Sequence, residues 1–79
     1  MKAKVTVKLK NGDLDPQGKA ILSSAHSLGF EELQDVRVGK SFEIDLGASD
    51  PQKVKERLAQ LADKLLANTV IENFEVEIL

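Results

Sequence analysis

The segment KAKVTVKLK, residues 2–10, alternates apolar and polar side chains along its whole length. Ala3, Val5, Val7 and Leu9 occupy every second position, and lysines and one threonine occupy the positions between them. A two-residue period is typical of a β-strand that buries one face and leaves the other in water. The sequence therefore predicts a first strand with an apolar face toward a core and a basic face toward solvent.

The segment LDPQGKAI, residues 14–21, could begin a helix or hold a ligand. Asp15 can cap a helix, and Pro16 suits the first helical position because it has no N–H group to satisfy. A helix N-terminus beside Gly18 and Lys19 can also bind an anion or contact a partner. The segment lacks the glycine spacing of a phosphate-binding loop. A plain capped helix is the favoured interpretation, and an added contact with a ligand or partner stays open.

Two segments have the pattern of capped amphipathic helices. The first continues from Pro16 and ends at Gly29, which can adopt the left-handed conformation that closes a helix. In the second, Asp50 and Pro51 repeat the capping signal, and an apolar stripe then extends toward Asn68. The sequence predicts helix 1 and helix 2 at these positions.

Three further strands are predicted from alternating runs. The segment LQDVRVGKSFEIDL, residues 33–46, contains two such runs separated by Gly39 and Lys40, which favours a hairpin. The last ten residues, 70–79, alternate again and predict strand 4. We expect strand 2, around residues 36–38, to lie at a sheet edge and to pair across a dimer, because an edge strand presents unpaired backbone groups.

This order of elements predicts a single α+β domain, residues 1–79, of the ferredoxin-like βαββαβ type. We expect a four-stranded antiparallel sheet with two helices on one face and with strand 1 between strands 3 and 4. The lysines of strand 1 would then lie opposite acidic side chains of the neighbouring strands, namely Glu43, Asp45, Glu75 and Glu77. Pairs of opposite charge favour strand pairing. The open face should therefore be close to neutral.

Composition narrows the classes of function. A chain of 79 residues has a small core and no cysteine, so disulfides and thiolate metal sites are excluded and self-association becomes the expected means of stabilisation. The net charge of -2 and only three aromatic residues argue against a nucleic-acid-binding protein. We find neither a signal-peptide pattern nor an apolar stretch of membrane-spanning length, so we expect an intracellular protein that does not contact membranes.

No constellation of residues indicates catalysis. His26 is the only histidine and has no companions suited to a metal site or to proton transfer. Arg37 lies beside Asp35, and two interpretations of it stay open. It could form an ion pair with Asp35 or a neighbouring strand, or it could contact another chain, because arginine is enriched at interfaces. By elimination, the sequence indicates a binding or assembly module.

Three motifs resemble the PurS family, the small subunit of the multi-subunit phosphoribosylformylglycinamidine synthase of purine biosynthesis. They are LDPQGKA at 14–20, QDVRVGK at 34–40 and KLLANTVIENF at 64–74, and their order and separation span nearly the whole chain. The family often has proline where Thr69 stands and tyrosine where Phe74 stands. These departures do not touch the first two motifs.

The resemblance implies a cytoplasmic chain that has no catalytic residues and no cofactor or metal of its own, and that forms a dimer or a tetramer. It implies that this chain bridges a glutaminase subunit, which releases ammonia, and a large synthetase subunit, which uses ATP and Mg²⁺ to activate formylglycinamide ribonucleotide. It also implies that the chain assists ammonia transfer between them. The candidate partner-contact residues are those of the first two motifs: Asp15, Gln17, Gly18, Lys19, Asp35, Arg37, Gly39 and Lys40.

A regulatory domain that senses a small ligand is the alternative. Domains of the same fold bind amino acids at a dimer interface through backbone groups near a glycine turn, and Gly39 could supply such a turn. Ligand binding would raise the stability of a sensor by about 2.7 kcal/mol at a hundredfold excess over the dissociation constant. An assembly subunit should show no such response.

Overall fold

The structure, a computed structural model, describes residues 1–10, 15–47 and 50–79. In this part of the chain three strands alternate with two helices. The strands are β1 (Lys2–Leu9), β2 (Gly39–Asp45) and β3 (Glu72–Ile78). The helices are α1 (Pro16–Ser27) and α2 (Pro51–Leu61), and α2 continues as a π-helical turn, Ala62–Leu66. None of the described helices is both long and apolar enough to cross a membrane.

Strand β1 is central, as the sequence predicts. The sheet order is β2-β1-β3, and both pairings are antiparallel. On the face away from α2, Lys4 lies opposite Glu43 on one side and Glu77 on the other, and Lys2 lies opposite Asp45. The register therefore places basic and acidic residues on neighbouring strands, which is the charge arrangement expected from the sequence.

The prediction of a four-stranded sheet is wrong, because the described residues form three strands. Residues 36–38 have the alternating pattern of a strand but pair with no other strand in the described part of the chain. The backbone N–H groups of Val36 and Val38 donate instead to the carboxylates of Asp35 and Asp15, both at 2.9 Å. Gly39 is not in a hairpin turn either, since it begins β2 opposite Lys8.

The buried core is small and lies between the sheet and α2. Strand β1 supplies its alternating apolar residues, and α2 with its π-helical turn supplies the other half. Among the residues that the structure describes, the buried apolar ones are Ala3, Val5, Val7, Val54, Leu58 and Ala62. Phe42 and Ile44 of β2, and Leu46 after it, are half-buried and pack against this core. The inward residues of β3, namely Phe74, Val76 and Ile78, do the same on the other side of β1.

Helix α1 does not lie on the sheet, which is a second departure from the predicted arrangement. Its apolar side chains are largely exposed, and Gly18 is its only buried residue. The reason is local: the first turn of α1 packs against residues 36–38 at the end of the sheet, so the helix points away from the core.

Helix α1 ends at the predicted position. Gly29 has φ 102°, and the N–H of Phe30 donates to the carbonyl of Ala25 at 3.0 Å, while the N–H of Gly29 donates to the carbonyl of His26 at 3.1 Å. This pair of bonds is the Schellman motif. His26 Nε2 also lies 2.7 Å from the carbonyl oxygen of Leu33, so the helix is bonded to the returning chain. We call residues 15–38, which comprise α1 and this return segment, the arm.

Helix α2 ends earlier than the sequence predicts. Its last turn widens to a π-helical turn that ends at Leu66, and the N–H of Ala67 donates to the carbonyl of Ala62 at 2.8 Å. Asn68 and Glu72 then bond reciprocally, because each backbone N–H donates to an oxygen of the other residue at 2.7 Å. This pair of bonds fixes the entry into β3.

Candidate functional site

The first two motifs meet at one end of the sheet around Asp15. Asp15 is the N-cap of α1, and its Oδ1 accepts a hydrogen bond from the N–H of Gly18 at 2.9 Å. Its Oδ2 accepts from the N–H of Val38, also at 2.9 Å. One carboxylate therefore holds both ends of the arm together, although residues 15 and 38 are far apart in sequence. We call this junction the anchor.

The side chain of Asp15 accepts the two hydrogen bonds of the anchor as an ionised carboxylate. The side chain is buried, and the donated N–H groups of Val38 and then Gly18 hold its pKa below the ordinary 3.8. Burial raises the pKa and the nearby Arg37 guanidinium lowers it, but both act less strongly than the Val38 and Gly18 bonds. The anchor is thus fully formed at neutral pH, where the carboxylate accepts through both oxygens.

Arg37 connects the anchor to the end of β1. Its Nη2 donates to the carbonyl oxygens of Lys10 at 3.2 Å and of Leu9 at 3.4 Å, and its Nε lies 4.0 Å from Asp15 Oδ2. Of the two interpretations from the sequence, the structure supports bonding within the chain, but the partner carboxylate is that of Asp15. Asp35 accepts from the N–H of Val36 instead. With 37% of its side chain exposed, Arg37 still presents part of its surface to solvent.

Gly18 allows the two segments of the anchor to approach closely. A Cβ atom at this position would lie 2.1 Å from the carbonyl oxygen of Val36 and 2.9 Å from Asp15 Oδ2. Such distances leave no room for any side chain, so glycine is required by packing and not by backbone conformation. The sequence indicates this only indirectly, through a glycine in the first turn of a helix, where alanine would be the better helix former.

An open cleft lies beside the anchor, with a volume of about 370 Å³. It is lined by residues from the sheet end and from both motifs: Val7, Leu9, Asp15, Gln17, Val38, Gly39, Lys40 and Glu72. Lys40 supplies an amine at the rim, with Nζ 6.0 Å from the ring centroid of Phe42. Glu72 Oε1 accepts from the N–H of Asn68, so this carboxylate is already bonded within the chain. The polar side chains of Gln17, Lys40 and Glu72 suit the cleft to binding of a polar group.

The eight predicted contact residues fall into two groups. Asp15 and Gly18 are buried in the anchor, and Arg37 is bonded to it, so these three position the surrounding backbone. The other five are exposed around the anchor, where another chain could reach them: Gln17, Lys19, Asp35, Gly39 and Lys40. The sequence did not indicate that Val38 and Glu72 belong to this site, where both line the cleft and Val38 also bonds Asp15. An alternating pattern predicts a strand but does not single out these two residues within it.

Metal binding has no support in the part of the chain that the structure describes, where no three His, Asp or Glu side chains come together as ligands. His26 is exposed on α1 and bonded to the carbonyl of Leu33. At the anchor, exposed polar side chains surround a junction that the two hydrogen bonds of Asp15 hold together, and this arrangement suits contact with another macromolecule.

Comparison with known proteins gives a consistent result. The PurS family model, described as phosphoribosylformylglycinamidine (FGAM) synthase, matches residues 2–79. The Bacillus subtilis (strain 168) phosphoribosylformylglycinamidine synthase subunit PurS is 44% identical over 77 residues, which cover 98% of this chain and 90% of that protein. The structure of Methanocaldococcus jannaschii PurS is 38% identical, with a TM-score of 0.88 over 96% of this chain and 92% of that one.

A further similar chain comes from a larger assembly. The structure of PurLQS from Thermotoga maritima contains a chain that is 27% identical, with a TM-score of 0.89 over 99% of this chain and 95% of that one. The family match extends over residues 2–79 of this chain, and the two comparisons above 30% identity cover at least 90% of each chain compared. The chain therefore belongs to the PurS family.

Proposed function

We propose that this chain is the small, non-catalytic subunit of a phosphoribosylformylglycinamidine synthase complex. The observation that carries the proposal is the family match over residues 2–79, together with the similarity to a chain of T. maritima PurLQS. A ligand-sensing regulatory domain is not favoured, because the family and the relatives described above are synthase subunits.

In this role the chain bridges a glutaminase subunit and an ATP-dependent synthetase subunit in the cytoplasm. ATP and Mg²⁺ act in the synthetase subunit, where formylglycinamide ribonucleotide is activated and ammonia displaces the activated oxygen. The single domain, residues 1–79, contributes surfaces and not reacting groups.

The partner subunit is proposed to contact the exposed residues around the anchor. Gln17 and Lys40 line the cleft, and Lys19, Asp35 and Gly39 are exposed nearby in the same two motifs. Because the anchor bonds fix the backbone between them, the five positions form a preorganised surface, which lowers the entropic cost of binding. Asp15, Gly18 and Arg37 do not contact the partner themselves in this proposal; they hold the backbone that positions the five exposed residues.

The proposed function includes association of this chain with further copies of itself. The residues that the structure describes include six buried apolar side chains, which is a small core, and small cores are commonly supplemented by oligomerisation. We infer a dimer, or a tetramer formed from two dimers.

Reconstitution tests the subunit role. The chain is mixed with synthetase and glutaminase subunits, and turnover is measured with glutamine and, separately, with ammonium ion as the nitrogen source. We expect omission of the chain to abolish glutamine-dependent turnover and to leave ammonium-dependent turnover of the synthetase largely unchanged. Equal glutamine-dependent turnover with and without the chain would refute the proposal.

The contact surface is tested by a charge reversal at the cleft. Lys40→Glu reverses the charge of an exposed residue at the rim of the cleft. Lys55→Glu is the control, because it makes the same change at an exposed position of α2 that does not line the cleft. We expect Lys40→Glu to lower glutamine-dependent turnover about tenfold, the effect of losing roughly 1.4 kcal/mol at an interface, whereas Lys55→Glu should match the wild type. Equal turnover of the two variants would remove Lys40 from the interface.

A further inference from the structure

Residues 67–72 of the third motif link the π-helical turn to the start of β3, and we call them the third-motif loop. Hydrogen bonds around Asn68 hold this loop. The carbonyl of Asn68 accepts from the N–H of Ile71 at 3.0 Å and from the N–H of Glu72 at 2.7 Å. Its Oδ1 accepts from the N–H of Val70 at 3.3 Å, and its own N–H donates to Glu72 Oε1 at 2.7 Å. The conformation of the loop is therefore set largely by its own hydrogen bonds.

The third-motif loop lies at the same end of the sheet as the anchor. The N–H of Lys10 donates to the carbonyl of Ile71 at 2.8 Å, and the carbonyl of Lys10 accepts from Arg37 Nη2 at 3.2 Å. The residue that follows β1 thus connects the third motif to the second. Glu72 also lines the cleft beside the anchor, together with residues of the first and second motifs. All three motifs therefore surround one cleft.

The third-motif loop presents apolar side chains to water. Val70 is 80% exposed and Ile71 41%. Such exposure adds nothing to the stability of the isolated chain, because the hydrophobic contribution depends on the area removed from water. A loop held by its own hydrogen bonds also loses little conformational entropy when another molecule covers it. Both properties suit the loop to contact with a protein surface that offers an apolar side chain.

Charged groups at the cleft indicate the kind of partner. Glu72 bonds Asn68 through Oε1, so Oε2 of the same carboxylate can accept from a basic side chain of another chain. Lys40 places a cation in the lining of the same cleft. Interfaces between permanently associated copies are more apolar than this, whereas chains that also exist apart meet through surfaces with a polar and charged rim. A different chain is therefore favoured over a second copy of this one.

We infer that the third-motif loop is a second wall of the partner-contact surface, and that it binds a segment of a synthase subunit that carries an apolar side chain next to a basic one. The apolar side chain packs on Val70, and the basic side chain bonds Glu72 Oε2. This inference rests on the subunit role proposed above. It adds the third motif to the contact surface and specifies the chemistry of the segment that the surface binds.

Titration of the chain into fixed amounts of the synthetase and glutaminase subunits tests the contact. Glutamine-dependent turnover then gives the concentration of chain at half-maximal turnover, which reports binding, and the maximal turnover, which reports function of the bound subunit. Val70→Thr keeps the branched shape of the side chain and removes apolar surface. Glu72→Gln keeps an oxygen for the N–H of Asn68 and removes the charge.

Two matched controls lie away from the cleft. Leu79→Thr removes apolar surface from a residue that is 62% exposed at the opposite end of the sheet, where its N–H donates to the carbonyl of Lys2. Glu56→Gln removes a charge at an exposed position of α2 that does not line the cleft. We expect Val70→Thr and Glu72→Gln each to raise the half-maximal concentration about tenfold, which corresponds to about 1.4 kcal/mol, with maximal turnover unchanged. Both controls should stay within about twofold of the wild type.

Salt dependence separates the ion pair from a structural role of Glu72. Added salt should weaken binding of the wild type and of Val70→Thr more than binding of Glu72→Gln, because salt screens the attraction between charges. Half-maximal concentrations of the two loop variants equal to those of their controls, or the same salt dependence for Glu72→Gln and wild type, would overturn the inference.

Measurements on the isolated variants identify the other outcomes. We expect Val70→Thr and Glu72→Gln to melt and sediment as the wild type does. A shift of Val70→Thr toward a smaller sedimenting mass would show that the loop contacts a second copy, and would overturn the inference. A wild-type chain that restores no glutamine-dependent turnover would refute the subunit role itself, and with it this contact, whereas normal wild-type turnover with unaffected variants refutes the contact alone.

Discussion

Replacing Gly18 by alanine is the most direct test of the anchor. The added methyl carbon would lie 2.1 Å from the carbonyl oxygen of Val36, whereas ordinary contact begins near 3.4 Å. Either the first turn of α1 or residues 36–38 must move by more than an ångström. Both movements stretch the hydrogen bond between the N–H of Val38 and Asp15, which is 2.9 Å long in the native chain.

The size of the effect follows from three terms. Overpacking of a close contact costs about 1–3 kcal/mol. Weakening one hydrogen bond adds about 1 kcal/mol, and the better helix propensity of alanine returns up to about 1 kcal/mol. We therefore expect Gly18→Ala to lower the free energy of unfolding by about 2 kcal/mol. For a domain of this size the midpoint of thermal unfolding should fall by about 8–16 °C.

Gly47→Ala is the matched control, because a Cβ at Gly47 would meet no atom of the described residues within 4 Å. This variant should unfold at the wild-type temperature or slightly above it, since alanine reduces the entropy of the unfolded chain. Both variants are melted at one protein concentration, because the stability of an oligomer depends on concentration. If Gly18→Ala and Gly47→Ala melt at the same temperature, the close approach of α1 to residues 36–38 is not part of the native structure.

Two further predictions concern the polar groups of the anchor. Because folding lowers the pKa of Asp15 below 3.8, its contribution to stability is complete above about pH 5 and is lost as pH falls through the folded-state pKa. The difference in melting temperature between wild type and Asp15→Asn should therefore be widest near neutral pH and narrow below pH 3.8; a constant difference would contradict the role of the carboxylate. Arg37→Ala removes long, partly exposed bonds to the carbonyls of Leu9 and Lys10 and should cost no more than about 1 kcal/mol, with an unchanged circular dichroism spectrum. Arg37→Lys keeps the charge and serves as its control, and failure of Arg37→Ala to fold would contradict a supporting role.

Local patterns predicted much of the fold. The alternation of β1 identified the central strand, and Asp15, Asp50 and Gly29 marked helix ends that the structure confirms. Each of these features depends on residues within a few positions of one another. Their physical causes, side-chain period and capping, act over the same short range.

The errors arose where the outcome depended on residues distant in sequence. The alternation around Val36 and Val38 predicted a strand, but a strand needs a partner, and the N–H of Val38 is taken by Asp15 of the first motif. The same distance concealed the partner of Arg37, which the sequence placed beside Asp35. A pattern of apolar residues shows that a helix has a face to cover, but it does not show which surface covers it.

The candidate site was predicted as two contact segments, and the structure divides their roles. Asp15 and Gly18 look like surface residues in a capped helix start, yet they are buried because residues 36–38 cross directly over them. Exposed positions such as Gln17 and Lys40 remain available to another chain. The sequence of a motif does not show which of its residues hold the backbone in place and which are free to contact another chain. That distinction depends on residues 36–38 crossing over the first turn of α1.

The arm begins at Asp15 and ends at Val38, and the carboxylate of Asp15 bonds both of these ends, so the arm is a loop that is closed at its base. Lengthening its far end near Glu31 and Glu32, which are exposed, would leave the spacing at the root unchanged. The entropy of closing a longer loop rises only slowly with its length. We therefore expect an insertion at residues 31–32 to lengthen the arm while the pairing of β1 with β2 and β3 stays the same.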